Sequence, residues 1–346
     1  MFNRTLLSLV CITSISFGAQ CQNKSTIVLT SRSYHPKNKE DTLSTLKAIQ
    51  QFKPSRLDWT YTSDSNITAI YHRLKIPFSL AINPMTADSA GSTTKKLRIQ
   101  TIDGETFVAP WMKDWKIKTP YWGCVNNPEF QELFYQNTLK LVRLKPYGIM
   151  VDNPEFNARL KLDKLAGCFC EHCVDKYVGT GFWSFFTRRR LFRKMNQSIS
   201  NSKSDANNKS NMHLAYEKFQ EESVTEFLQN WKNRLLQVNP NLKFICNNFN
   251  GEWASFHQVF DGGMAELNEN FINEKSLDNL YKRADDLHKT QLFNSNSSKP
   301  EVHELLLKYA LSHKRDALIP WDLYLKDSPH RFYINYQRFE KLQQDY

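Results

Sequence analysis

The sequence predicts an α/β fold, a single (β/α)8 TIM barrel with long loops after strand 3 and after strand 4. Three observations carry that expectation. Eight short apolar, β-rich stretches recur along the chain, and helical stretches lie between most of them. Strands that alternate with helices pair in parallel through crossover units, and eight such units close a barrel. No glycine-rich phosphate loop follows the first strand, which argues against an open doubly wound sheet.

The expected strands cover residues 26–30, 56–61, 78–82, 148–152, 243–247, 262–267, 291–294 and 317–322. The expected helices cover residues 42–51, 66–75, 128–144, 214–238, 274–289 and 301–315. The helix from Pro128 has the clearest start, with Asn127 as cap, proline at the first position and Glu129 in the first turn.

Two segments are too long to be passive links. Residues 83–126 hold Trp111, Trp115, Tyr121 and Trp122 and are expected to form a lid or wall over the barrel mouth. Residues 177–212 form an insertion, expected to be partly mobile. It opens with Trp183, Phe185 and Phe186, continues with Arg188, Arg189 and Arg190, and ends in a Ser/Asn/Lys-rich tract over 196–211. That tract reads as a mobile loop. The Phe/Arg portion reads as a helix packed on the barrel, with an amphipathic partner-binding helix as the alternative.

At the N-terminus, Arg4 precedes a short apolar run that ends in small residues near Ser16 and Gly18. This reads as a signal peptide over residues 1–20, leaving 21–346 as one barrel domain that is exported to the periplasm or the extracellular space. The run is too short for a permanent span. Cys21 would allow lipidation, although Gln20 is a poor fit before it, and a membrane is expected as a partner only in that case. The net charge is +11, but the basic residues are spread along the chain and no nucleic-acid motif accompanies them. A solvated basic surface is the expectation, with no nucleic-acid partner.

Cys168-Phe-Cys170-Glu-His-Cys173 places three thiols too close together for ordinary disulfides with one another. With Cys124 as a fourth ligand they satisfy tetrahedral zinc completely, which makes the site structural. His172 is an alternative ligand. Two disulfides or unpaired buried thiols are the competing readings.

In a barrel of this kind the active site lies at the C-terminal ends of the strands. The polar residues there are carboxylates, amides and tryptophans, a set suited to sugars. Carboxyls supply acid and nucleophile or base, amides bind hydroxyls, and flat rings cover apolar sugar faces. The candidate catalytic residues are Asp152, Glu155 and Glu266. The candidate substrate-binding residues are Asp58, Trp59, Asn153, Asn247, Asn248, Asn268, Trp321 and Asp322. Each has a bland counterpart as a cap, a turn former or a core ring. The chain has no nucleophile elbow and no H-E-x-x-H.

The segment from Cys124-Val-Asn-Asn-Pro128 to Cys173 resembles glycoside hydrolases of family 42, the zinc-clamped β-galactosidases, and related barrel hydrolases. The resemblance implies a TIM barrel, a carbohydrate substrate, and zinc held by Cys124, Cys168, Cys170 and Cys173. Val151-Asp152-Asn153 matches the strand end before that family's acid/base glutamate. Here Pro154 intervenes and Glu155 comes one position late, so either Glu155 or Asp152 takes the role. The family nucleophile ends strand seven, where this chain has Asn294, and Glu266 on strand six is the replacement. The leading expectation is an exported glycoside hydrolase, retaining or inverting. The alternatives are a non-catalytic glycan-binding protein on a degenerate barrel, and a zinc-dependent hydrolase, which a closed four-cysteine site disfavours.

Overall fold

In the computed structural model the chain is described over residues 25–31, 39–85, 97–114, 120–181, 183–204, 208–297, 299–321, 340–342 and 344. Its centre is a sheet of eight strands: β1 (Ile27–Thr30), β2 (Arg56–Thr60), β3 (Phe78–Ile82), β4 (Gly148–Val151), β5 (Lys243–Asn247), β6 (Gly262–Leu267), β7 (Thr290–Ser295) and β8 (Ala317–Ile319). Their order is β7-β6-β5-β4-β3-β2-β1-β8, and every described pairing is parallel. β1 pairs with both β2 and β8, and β7 lies beside β8 at the seam. The result is a nearly closed (β/α)8 barrel, as the alternation predicts. Asp322, the last residue of the expected eighth strand, lies outside the described residues, as do the signal segment, Cys21 and Trp115.

The helices are α1 (Lys39–Phe52), α2 (Ser65–Arg73), α3 (Pro128–Val142), α4 (Arg159–Leu162), α5 (Glu171–Val178), α6 (Ser184–Ser204), α7 (Asn211–Val238), α8 (Glu274–Asp286) and α9 (Pro300–Ser312). Between β5 and β6 the described chain makes only 3-10 turns, at Phe249–Gly251 and His257–Val259. Asn127 caps α3 as expected, accepting from the Glu129 and Phe130 N–H groups at 2.8 and 3.2 Å. Those two donors would otherwise be orphaned at the helix start.

The tract over 196–211 departs from expectation, because α6 runs on to Ser204 and α7 begins at Asn211. The reason is a buried stripe of Leu191, Met195 and Ile199 at four-residue spacing. It packs with Phe169, Val174 and Tyr216, and tertiary burial outweighs the low propensity of the Ser/Asn sequence.

Side chains alternate across each strand, which separates two cores. Val28, Ala81, Met150, Ile245, Met264, Leu292 and Leu318 fill the barrel interior. Leu29, Leu57, Leu80, Ile149, Val151, Phe244 and Ile319 face the helices. There α3 meets α7 through a cluster of rings. Phe134 stands edge-on to Phe156 and Phe227, with centroids 5.4 and 5.5 Å away.

A polar network links residues at the N-terminal ends of several strands. Arg56 pairs with Asp58 at 2.8 Å and with Asp316 at 3.0 Å, and Tyr147 donates to Asp58 at 2.5 Å. Asp58 is fully buried with both oxygens engaged. This corrects its assignment to the substrate-binding rim: it is an ion-pair partner in the lower barrel. Asp58 pairs with Thr30 and faces inward by ordinary alternation from outward-facing Leu57, and the pairing register of β2 with β3 then breaks before Thr60, where Trp59 adopts φ +56°. Such a bulge moves the inward position along the strand.

Candidate active site

Parity along the strands decides what faces the mouth. Ile245, Met264 and Leu292 point inward, so Asn247, Glu266 and Asn294, two positions later, do the same. Asp152 follows inward-facing Met150 by the same step. Its backbone N–H donates to the Ile82 carbonyl at 2.8 Å, which continues the β3–β4 ladder past the strand end.

These side chains form a connected set. The Nδ2 of Asn247 donates to Asp152 Oδ1 at 3.1 Å and to Glu266 Oε2 at 3.2 Å. The Tyr61 hydroxyl donates to the other Asp152 oxygen at 2.6 Å. Two carboxylates from strands four and six therefore share one amide nitrogen. Asn247 is buried, and its own carbonyl oxygen has no hydrogen-bond partner. A buried acceptor in that condition favours a ligand that brings a donor, such as a hydroxyl. Burial pushes the Asp152 carboxyl above its ordinary range, although the donors from Tyr61, Asn247 and the Asn153 backbone oppose the shift.

The structure joins Asp152 to Glu266 and leaves Glu155 aside. Asn153 takes a left-handed φ of +55°, Pro154 follows, and together they turn the chain away from the mouth. Glu155 is buried, its Oε2 is unpartnered, and it lies close enough to feel the outward-facing Cys246. Burial pushes its carboxyl up to about 7, so it is largely protonated below neutral pH.

Of the remaining candidates, Trp59 and Trp321 are partly buried, and Trp321 lies just past the C-terminal end of β8. Trp59 packs on the inner core, and the Trp321 N–H donates to Thr30 Oγ1 at 2.7 Å. Asn153 is partly accessible beside Asp152. Asn248 does not reach the mouth. It is fully buried in a reciprocal amide pair with Gln291 at 2.8 and 3.1 Å, seated against Gly263, where a Cβ would come within 2.5 Å of it. Asn268 is exposed and caps the turn Glu269–Phe271, with its side chain accepting from the Asn270 N–H. Asn248 is turned aside by alternation, one residue after inward-facing Asn247, whereas Asn268 shares the parity of Glu266 and lies past the strand end, engaged as the cap of the next turn. Tyr61 is the residue that sequence reasoning missed. The β2 bulge hides its parity, and only tertiary contact with Asp152 reveals it.

The second centre is the cysteine cluster. The sulfurs of Cys124, Cys168, Cys170 and Cys173 all lie within 4.8 Å of one another and are buried. Cys124 is 3.4 Å from Cys170, 3.4 Å from Cys173 and 3.7 Å from Cys168. These separations exceed a disulfide bond, about 2.05 Å. They are near the roughly 3.8 Å edge of a tetrahedron with 2.3 Å metal–sulfur bonds. Donors converge on the sulfurs: Asn157 Nδ2 on Cys124 and Cys173, Asn126 Nδ2 on Cys173, and the Gln100 N–H on Cys168. Such donors stabilise thiolate charge. The four cysteines thus fit a bound metal ion, and His172 stands outside their cluster.

Residues 97–114 and 120–123 wrap this cluster through bridges Arg98↔Gly123, Gln100↔Thr106 and Val108↔Tyr121. Ile99, Phe107, Met112 and Trp122 pack directly on the sulfurs' core. The segment expected as a lid or wall is thus built, in its described part, as the wall of the cysteine centre. A cleft of about 580 Å³ on its flank is lined by Thr101, Thr106, Phe107, Lys113, Asp163 and Leu165 among others, and none of its lining residues belongs to the carboxylate set.

No family profile matches the sequence, and no curated protein matches it. Solved structures do match in shape. An α-L-fucosidase isoenzyme 2 from Paenibacillus thiaminolyticus aligns with a TM-score of 0.54 at 9% identity, over 92% of this chain and 48% of that one. A β-galactosidase from Bacillus circulans sp. alkalophilus aligns at 0.54 and 14%, over 90% and 52%. A β-galactosidase from the Antarctic haloarchaeon Halorubrum lacusprofundi aligns at 0.54 and 11%, over 86% and 52%. The chain spans about half the length of each. At these identities the likeness establishes the barrel fold.

Proposed function

We propose that the protein is a glycoside hydrolase that cleaves an O-glycosidic bond with Asp152 and Glu266. The observation that carries this reading is the shared Asn247 amide, which holds one oxygen of each carboxylate. The glycosidase names of the structural neighbours support the same class.

Asp152 has the raised affinity for a proton that a general acid needs, and burial is the cause. Glu266 then serves as nucleophile or base. Two oxygens within hydrogen-bond reach of one nitrogen lie on the order of 6 Å apart at most. Retaining enzymes use about 5–5.5 Å and inverting ones 6.5–9.5 Å. The spacing favours double displacement through a glycosyl-enzyme ester on Glu266. The free Asn247 carbonyl, Asn153, Asn294, Trp59 and Trp321 would hold the sugar, the amides on hydroxyls and the rings on apolar faces.

The four-cysteine centre would hold structural zinc, because thiolates select soft or borderline metals and four of them leave no position for water. Asn157 would keep the loop after β4 fixed to it. Export by the N-terminal segment is part of the proposal, and N-terminal sequencing of protein from the native host should find Met1 and roughly the first 20 residues removed.

One observation favours a second reading, glycan binding without catalysis. β7 presents Asn294 opposite Glu266, where the resembled family has its nucleophile. A screen on aryl glycosides, with the product anomer followed by NMR, separates the two. Turnover with retention, lost in both Asp152→Asn and Glu266→Gln, supports the hydrolase. Saturable sugar binding with no turnover in the wild type supports the binding protein.

A further inference from the structure

The N-terminal end of α6 carries three large exposed rings. Trp183, Phe185 and Phe186 are 71%, 65% and 60% exposed. A single exposed apolar residue is ordinary, but a contiguous group marks an interaction surface. These rings are contiguous, with Phe186 centred 6.1 Å from Trp183 and 5.7 Å from Phe185. The exposed side of the helix continues with Arg189, Arg190, Arg193 and Lys194. Between Ser184 and Ser204 the sequence holds six Lys or Arg and no Asp or Glu. One of the six, Arg188, is committed to Asp175 on α5. The opposite side of α6 is committed as well, through Leu191, Met195 and Ile199.

We propose that this end of α6 docks the protein on an anionic lipid bilayer. The rings enter the interfacial layer, and the guanidinium and ammonium groups meet lipid phosphates. Bulky rings beside a basic, acid-free helix face are the combination that interfacial helices use. The long Arg and Lys stems let charge remain at headgroup level while the rings sit deeper.

Ring geometry distinguishes lipid from glycan. Phe186 is tilted 44° to Trp183 and 81° to Phe185, so the three do not form the flat platform on which sugars stack. Insertion among acyl chains needs no coplanarity. Charge argues against a second copy, since a two-fold contact would set the same arginines against each other. The docking is peripheral: among the described residues no helix is long and apolar enough to cross a membrane. The proposal stands apart from the carbohydrate reading and from lipidation at Cys21.

The test is co-sedimentation of the unlipidated mature chain with vesicles of phosphatidylglycerol and phosphatidylcholine in equal parts, and with phosphatidylcholine alone. Binding to the mixed vesicles, weakened by salt, is expected. Each neutralised arginine in Arg189→Gln, Arg190→Gln and Arg193→Gln should lower it roughly fivefold. The triple variant Trp183→Ser, Phe185→Ser, Phe186→Ser should lower it at least as much as one arginine. Brominated lipid should quench wild-type tryptophan fluorescence, and the part due to Trp183 should vanish in Trp183→Phe, a readout that does not depend on the triple variant folding. No binding by the wild type overturns the proposal, as does binding that both sets of variants leave unchanged. Capture by an anionic polysaccharide without vesicle binding also overturns it, as does a dimer that the ring variant dissolves while vesicles stay unbound.

Discussion

Asn157 donates its side-chain amide to Cys124 at 3.3 Å while its carbonyl oxygen accepts from the Val125 N–H at 3.1 Å. It also reaches Cys173 at 3.3 Å, and it sits five positions after Asp152. The cysteine centre and the loop after β4 are therefore mechanically one unit. Asn157→Ala should weaken metal binding by about 10- to 100-fold, the usual effect of removing a group that supports ligands. Competition with a chromophoric chelator measures it.

The purified protein should carry close to one zinc per chain. Cys170→Ser should lower metal content and melting temperature together, the latter by roughly 10 °C or more, because metal binding energy is part of folding energy. Elemental analysis and thermal melts check this. A metal-free wild type with the same melting point would remove the centre from the account.

Tyr61→Phe should alter the pH profile without dismantling the mouth. The phenol's hydrogen bond favours ionised Asp152, so its loss should raise that carboxyl further. With Asp152 as the acid, the alkaline limb of kcat/KM should move to higher pH. An unmoved profile would show that Asp152 does not set that limb.

Glu155→Gln should separate stability from catalysis. In the folded state Glu155 titrates near 7, against 4.5 for the ordinary side chain. Below pH 4.5 both folded and unfolded forms hold the proton, and the group costs nothing. Between 4.5 and 7 the unfolded chain loses its proton first, so stability falls as pH rises. The full cost, roughly 3 kcal/mol, is reached above pH 7. Glu155→Gln should flatten that part of the urea-stability profile while retaining turnover, whereas full loss of activity would return Glu155 to the catalytic set.

Phe134→Ala should destabilise by about 3–5 kcal/mol, because Phe134 is fully buried among Phe130, Phe156, Phe227 and Trp231. Urea denaturation reads the loss.

The sequence by itself determined the barrel and the cysteine centre. Apolar runs such as Gly148–Val151 and Lys243–Asn247, spaced by helical stretches, specify strands buried on both faces. The spacing of Cys168, Cys170 and Cys173 is local chemistry that any fold must honour. Only the tertiary structure decided which polar residues meet. Asp152 and Glu266 lie on separate strands, and Asn247 joins them because parallel register sets their levels around the mouth. Asp58 and Asn248 looked equally eligible, yet Asp58 lies low enough in β2 to meet Arg56 and Tyr147, and Asn248 is one residue out of phase with Asn247 and pairs with Gln291. Tyr61 entered by the bulge in β2. Local sequence encodes periodicity and ligand spacing. It does not encode where a bulge resets the phase, and that phase selects which side chains can share a site.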